Sequence, residues 1–86
     1  MGYQIEFRPA ARRDLEKLGR EIQERIAAKI ASLADNPRPA QAKKLIGLKN
    51  RWRVRVSDYR VVYEIHDDVL LVLVVQIGHR REIYRA

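Results

Sequence analysis

Arginine alternates with apolar residues from position 51 to position 56, where the sequence reads Arg-Trp-Arg-Val-Arg-Val, and Arg60 follows shortly after. A guanidinium group stays charged at every working pH, and its planar fork of donors matches two oxygens of a phosphate. Several such groups on one surface favour binding of a phosphate or another anion. Charge on a surface strand also serves to block edge-to-edge pairing, so that second interpretation stays open.

A hairpin with a two-residue turn at Ser57-Asp58 would set the register of these residues. Cross-strand neighbours share a face of the sheet, so Arg55 is expected opposite Arg60, a like-charge pair that costs stability. The predicted core face carries Trp52, Val54, Val56, Tyr59, Val61, Tyr63 and Ile65. The other face carries Arg51, Arg53, Arg55, Arg60 and Glu64. We predict an anion site on this second face, with Arg51–Glu64 as its neutralised pair. Arg51, like His79 and Arg81, is also a candidate for contact with RNA.

Further basic and aromatic residues flank the arginine strand on both sides. Lys43, Lys44 and Lys49 precede it and are candidates for tracking an RNA backbone. Gly78 is followed by a basic tail, residues 79–86, with the candidates His79, Arg80, Arg81 and Tyr84. His79 could act as an acid or base, or only as a hydrogen-bonding residue. Tyr84 could stack on a base or simply pack.

The arginine face continues into a more apolar surface. Beyond a turn at Asp67-Asp68 we expect Val69, Leu71, Leu73 and Val75 on this face, with Val62 beside them. This is more apolar than a solvated sheet face usually is. Either the C-terminal tail or another protein covers it, and we favour a protein partner.

The elements that position these residues follow from periodicity. Tyr3, Ile5 and Phe7 alternate with polar residues and predict a strand over 3–7. Apolar residues spaced by three or four predict helices over 10–18 and 20–34, separated at Gly19. Strands are predicted over 51–56, 59–66 and 69–77. The fold class is therefore α+β, with the first strand and a helical hairpin packed on one face of a small antiparallel sheet.

The polar face of the predicted helices carries charges of both signs, and we interpret it as solvated. Its charged residues are Arg12, Arg13, Glu16, Lys17, Arg20, Glu21, Glu24, Arg25 and Lys29.

Composition narrows the classes of function. The chain has 86 residues, expected to form one domain over 1–86, and its formal net charge of +7 attracts polyanions. It has no cysteine, which excludes disulfides and thiolate chemistry, and its two histidines are too few for an ordinary zinc site. We expect no metal and no cofactor. The apolar run over 69–75 is too short to span a bilayer and the N-terminus lacks a signal peptide, so we expect a cytoplasmic protein without membrane contact.

Several of these segments together resemble one toxin family. They are residues 45–48 (Leu-Ile-Gly-Leu), 52–56 (Trp-Arg-Val-Arg-Val), 58–65 (Asp-Tyr-Arg-Val-Val-Tyr-Glu-Ile) and 77–84 (Ile-Gly-His-Arg-Arg-Glu-Ile-Tyr). The chain resembles the RelE/ParE superfamily of bacterial and archaeal toxins over nearly its whole length.

The resemblance implies a RelE-like domain that cuts messenger RNA in the ribosomal A site without a metal ion. The 2′-hydroxyl attacks the adjacent phosphodiester and leaves a 2′,3′-cyclic phosphate and a 5′-hydroxyl. The implied partners are a RelB-like antitoxin, the ribosome and mRNA, and the free toxin is expected to be monomeric.

The resemblance also assigns roles to residues. Arg53 and Arg55 match two basic residues on the strand before the turn, and Arg60 matches the arginine that stabilises the pentacoordinate phosphate. Arg80 matches the arginine after the glycine, and Tyr84 the tyrosine that stacks on a nucleotide.

One departure concerns the proton acceptor. The usual pattern has lysines where this chain has Arg53 and Arg55, and an arginine cannot act as a base. His79 or Tyr84 would take the proton, or catalysis rests on positioning and charge stabilisation alone. Two alternatives remain: a ParE-like inhibitor of DNA gyrase without nuclease activity, and an inactive RNA- or ribosome-binding module.

Overall fold

The structure is a computed structural model that describes residues 2–47 and 50–79. Its helices are α1 (Pro9–Glu16) and α2 (Arg20–Ser32). Its strands are β1 (Gln4–Phe7), β2 (Lys43–Lys44), β3 (Arg51–Val56), β4 (Tyr59–His66) and β5 (Leu71–His79), with one 3₁₀ turn at Asp67–Val69 between β4 and β5.

The two helices form the predicted hairpin, each slightly shorter than expected. Pro9 occupies the first turn of α1, where its missing N–H costs nothing, and Gly19 is the N-cap of α2. The Gln23 side-chain amide donates to the carbonyl oxygens of Leu15 and Leu18 at 3.0 and 3.3 Å, which satisfies acceptors where α1 ends. Within the described residues, neither helix has the length and apolar character needed to cross a bilayer.

In the part of the chain that the structure describes, the sheet has five strands in the order β1-β5-β4-β3-β2. The β3–β4 register is the predicted one, from Val56 opposite Tyr59 to Arg51 opposite Glu64. The sheet is mixed rather than wholly antiparallel, because β1 pairs with β5 in parallel. The last strand starts later than predicted, because the 3₁₀ turn precedes it and Leu70 adopts a left-handed conformation with φ 52°. The short strand β2 was not predicted.

The core lies between the helices and the predicted face of the sheet. Val54, Val61 and Tyr63 are fully buried there, and Ile26 of α2 is equally inaccessible. The Tyr63 hydroxyl donates to the Pro37 carbonyl oxygen at 2.7 Å, and burial raises the pKa of Tyr63 to about 12. The tyrosine therefore fills the core and also fastens the segment that leads from α2 to β2.

Arg38, Asp67 and Tyr3 form a hydrogen-bonded cluster that joins the segment after α2 to the 3₁₀ turn and to the start of β1. Two Arg38 nitrogens donate to the Asp67 carboxylate at 3.3 and 2.8 Å, and the Tyr3 hydroxyl donates to the same carboxylate at 2.5 Å. The Arg38 guanidinium also lies 5.3 Å from the centre of the Trp52 ring. The hydrogen bond from Arg38, followed by that from Tyr3, holds the pKa of Asp67 below its ordinary value.

This cluster predicts a pH-dependent part of the stability. A carboxylate whose folded pKa lies below its unfolded value (about 3.9 for Asp) stabilises the fold at neutral pH, and that stabilisation is lost as the pH falls through the folded pKa. Urea unfolding should therefore show Asp67→Asn to be less stable than the wild type at pH 7, with the difference shrinking toward pH 3. The adjacent, exposed Asp68→Asn is the control. A difference independent of pH would contradict the assigned role of Asp67.

Candidate nucleic-acid interface

The three predicted arginines share one face of the sheet. Arg55 pairs with Arg60 across β3 and β4, and Arg53 lies one row further along the same face, opposite Val62. Their neighbours Val54 and Val61 point the other way and are fully buried. The alternation of the strand therefore concentrates guanidinium groups on the side away from the helices.

Arg60 has the most central position of the three, because β4 lies between β3 and β5. Its neighbour on β5 is Gly78, which has no side chain. On the other side, the Arg55 Nε donates to the Ser57 carbonyl oxygen at 2.9 Å, which fixes Arg55 at the hairpin turn. Arg60 itself is half-buried, and its Nε is inaccessible to solvent.

An open groove of about 1030 Å³ starts at these arginines and crosses the edge of the sheet. The short strand β2 pairs with β3 only at Trp52 and Arg53, so the rest of that edge of β3 faces α2 instead. The groove is lined by Arg25, Ala28, Lys29, Ser32, Gln41, Lys43, Arg53, Arg55, Val56, Ser57 and Arg60. Among these lining residues, six are Lys or Arg and none is Asp or Glu. Such a surface attracts an anion with several charges.

Two of the groove cations come from α2 and were missed in the sequence. Arg25 and Lys29 were interpreted as part of a solvated face, but both line the groove. The Lys29 Nζ donates to the Gln41 side chain at 2.9 Å, which holds the ammonium group at the groove. In the sequence, their spacing of one helical turn already indicates that Arg25 and Lys29 lie on the same side of α2. The spacing does not indicate which part of the molecule that side of the helix faces.

Lys43 and Lys44 are separated by the alternation of β2. Lys43 lines the groove with the arginines, as predicted for an RNA-contacting residue. Lys44 pairs with the core-facing Trp52 and is exposed, so the structure does not bring it into the groove.

A charged cluster occupies the other end of the arginine face. Glu64 accepts from Arg51 Nε at 3.1 Å and contacts His66 Nε2 at 2.9 Å. Burial alone would raise the pKa of Glu64, but the hydrogen bonds with His66 and Arg51 outweigh it and lower the pKa. Arg51 therefore forms the expected ion pair and does not line the groove.

His79 lies on the opposite side of the sheet from the arginines. It pairs with Tyr59, and the two rings meet edge to face with centroids 5.6 Å apart. Both line a separate cavity of about 490 Å³ that includes Asp14 and Lys17 of α1. Because Gly78 occupies the arginine face, its successor must point to the helix side. The structure thus does not bring His79 together with the guanidinium groups.

Comparison with known proteins assigns this arrangement to a family. The family model described as "ParE toxin of type II toxin-antitoxin system, parDE" matches residues 5–84. The chain belongs to the RelE/ParE superfamily of toxins. A protein of Escherichia coli described as a RelE-like toxin is 38% identical over 82 residues, which are 93% of this chain and 85% of that protein. The mRNA interferase toxin RelE of Escherichia coli K12 is 31% identical, over 98% of this chain and 92% of its own length.

The fold of this RelE-like toxin matches solved structures as well. One chain in the toxin–antitoxin complex RelBE2 from Mycobacterium tuberculosis superposes with a TM-score of 0.82 at 29% identity. The match covers 93% of this toxin and the whole of that chain. The two helices and the mixed sheet are thus the RelE fold.

Four of the toxin's candidate residues lie outside the described residues: Lys49, Arg80, Arg81 and Tyr84. Their assignments remain predictions from the sequence and the resemblance.

The apolar surface of the toxin is smaller than predicted. Leu71 and Leu73 pair with His66 and Glu64, so they lie on the arginine face, and both are half-buried. Val69 belongs to the 3₁₀ turn instead of the strand and is 63% exposed. Val62, in contrast, is buried. Contact with a protein partner at this surface remains a prediction.

Proposed function

We propose that this toxin is a metal-independent endoribonuclease of the cytoplasm that cuts mRNA in the A site of the ribosome. The observation that carries the proposal is the arrangement of Arg53, Arg55 and Arg60 on one sheet face, within a groove whose described lining residues include six cations and no carboxylate. Its support from relatives is the 31% identity to a protein named mRNA interferase toxin RelE.

The proposed reaction needs charge stabilisation more than a protein nucleophile. The 2′-oxygen of the RNA attacks the adjacent phosphorus as its proton passes to water. The bond from phosphorus to the 5′-oxygen breaks, and the 5′-oxygen takes a proton from water and leaves as a hydroxyl. The products are a 2′,3′-cyclic phosphate and a 5′-hydroxyl end. Charge accumulates on the phosphate oxygens during the attack, and Arg60, on the central strand of the arginine face, would donate to them. Arg53 and Arg55 would hold the flanking backbone.

The proton acceptor is not one of these three residues, because a guanidinium cannot accept a proton. His79, placed on the other face with Tyr59, is also poorly positioned for this role. We therefore favour catalysis by alignment of the 2′-hydroxyl with the phosphate and by charge stabilisation. In this proposal Arg80 adds a further phosphate contact and Tyr84 stacks on a base of the codon.

We further propose that a RelB-like antitoxin binds and neutralises the toxin, which is a monomer when free. The support is the similarity to the toxin chain of the RelBE2 complex. The surface at Leu71 and Leu73, beside the Glu64 cluster at the other end of the arginine face, offers apolar contact area for such a partner.

One experiment separates this proposal from its alternatives. The purified toxin is added to ribosomes that translate a defined message, the new RNA ends are mapped, and a DNA gyrase supercoiling assay is run in parallel. We expect new ends inside the A-site codon that carry the cyclic phosphate and the 5′-hydroxyl.

Two other results would reject nuclease activity. Inhibited supercoiling with intact RNA would indicate a ParE-like gyrase inhibitor. This alternative is supported by the description of the matching family model as a ParE toxin. Salt-sensitive ribosome binding without new ends would indicate a binding module.

A further inference from the structure

We infer that α2 forms part of the substrate site: Arg25 and Lys29 bind the RNA backbone next to the scissile linkage, across the groove from the catalytic arginines. That the bound polymer is RNA rests on the proposed function. The inference assigns an RNA-binding role to two residues whose positions along the helix indicate only an ordinary solvated face.

The position of the two side chains is the first argument. The groove extends from Arg53, Arg55 and Arg60 past the edge of β3 to α2, so one continuous surface joins the two sets of cations. Residues one helical turn apart have Cβ atoms roughly 5–6 Å apart on one side of a helix. Arg25 and Lys29 can therefore contact different phosphates of a single strand that leaves the arginine face.

The bonding of the two side chains is the second argument. Lys29 gives one hydrogen bond to Gln41 at 2.9 Å, and an ammonium group has three donors. Gln41 thus positions the group without neutralising its charge. Arg25 meets Glu21 only at 3.9 Å, with both side chains largely exposed, and such a pair contributes little. Both cations retain capacity for an anion.

The shape and lining of the groove indicate a polymer backbone. Pockets for small molecules enclose roughly 300–1000 Å³ and are mostly apolar, whereas this groove is open and cationic. The residues that dominate binding energy at protein interfaces are buried aromatic and arginine side chains. Among the described lining residues there is no aromatic side chain, and the apolar ones are the small Ala28 and Val56. RNA fits this surface better than an acidic protein does.

Binding of an RNA that cannot be cut tests the inference. A labelled, fully 2′-O-methylated 12-nucleotide RNA lacks the attacking hydroxyl, so its affinity is measured by fluorescence anisotropy independently of cleavage. Each phosphate contact in a single strand contributes about 0.7 to the slope of log K against log salt. Arg25→Ala/Lys29→Ala should therefore reduce the slope by about 1.4 and weaken binding roughly tenfold at about 0.1 M salt.

The matched control is Arg13→Ala/Arg20→Ala, which removes the same charge from exposed positions of α1 and α2 outside the groove. Arg20 is paired with Glu24 on another part of the α2 surface. We expect its slope to stay near the wild-type value. Arg25→Lys/Lys29→Arg, which keeps both charges, should restore the wild-type slope. Equal slope changes in the groove and control variants would overturn the inference, because they would show a general effect of net charge.

Two further measurements separate the inference from the proposed function. In the ribosome assay, the groove variant should raise KM and leave kcat near the wild-type value. If the wild-type toxin cuts nothing, the proposed function fails while the anisotropy result still decides the role of α2. If the groove variant loses binding to poly-glutamate but keeps its RNA slope, the groove takes an acidic protein, and the inference is wrong.

Discussion

Arg60→Ala should lower the rate of mRNA cleavage by roughly 10²–10³-fold, the loss typical when one donor to a developing oxyanion is removed. The expectation follows from the position of Arg60 on the central strand β4, with Arg55 opposite it on β3 and Gly78 opposite it on β5. Single-turnover cleavage on programmed ribosomes, at saturating toxin, measures this step apart from binding. Arg60→Lys should recover part of the rate, because it keeps a charge but loses the planar fork.

The control for this prediction is Arg20→Ala, which removes one positive charge from a solvated position on α2. Its cleavage rate should match the wild type. The far-UV circular dichroism of both variants should match that of the wild type, and the urea midpoint of each variant shows whether it stays folded under the assay conditions. Cleavage by Arg60→Ala within a few-fold of the wild-type rate would remove Arg60 from the reaction.

Tyr63→Ala should be the most destabilising single substitution in the described core. Tyr63 is fully buried, and truncation of a large buried aromatic side chain costs about 3–5 kcal/mol. A domain of this kind has only about 5–15 kcal/mol of stability, so a large part would be lost. Urea unfolding measures the loss in the free energy of unfolding. If the variant does not fold at all, it should be absent from the soluble fraction of the expressing cells.

Tyr63→Phe separates the hydroxyl from the ring. It keeps the packing but leaves the Pro37 carbonyl oxygen without its donor in a buried position, which costs about 1–3 kcal/mol. Because this bond fastens the segment that carries Gln41 and Lys43 to the groove, RNA binding should weaken as well. A Tyr63→Phe protein as stable as the wild type would show that the hydrogen bond to Pro37 contributes nothing.

The arginine face could be predicted from the sequence because its determinants are local. The Ser57-Asp58 turn sets the register, and the two-residue period of a strand then places every later side chain on one face or the other. The same rule would have placed His79 on the helix side, because His79 follows Gly78 and Gly78 pairs with Arg60.

The sequence by itself thus determined the helical hairpin, the β3–β4 register and the face that carries Arg53, Arg55 and Arg60. The tertiary structure decided the parallel pairing of β1 with β5, the ion pair between Arg38 and Asp67, and the approach of α2 to the edge of β3. The physical reason is the range of the interactions. Periodicity and turn geometry act between near neighbours in the chain, whereas these contacts join distant segments whose relative positions depend on how the whole core packs.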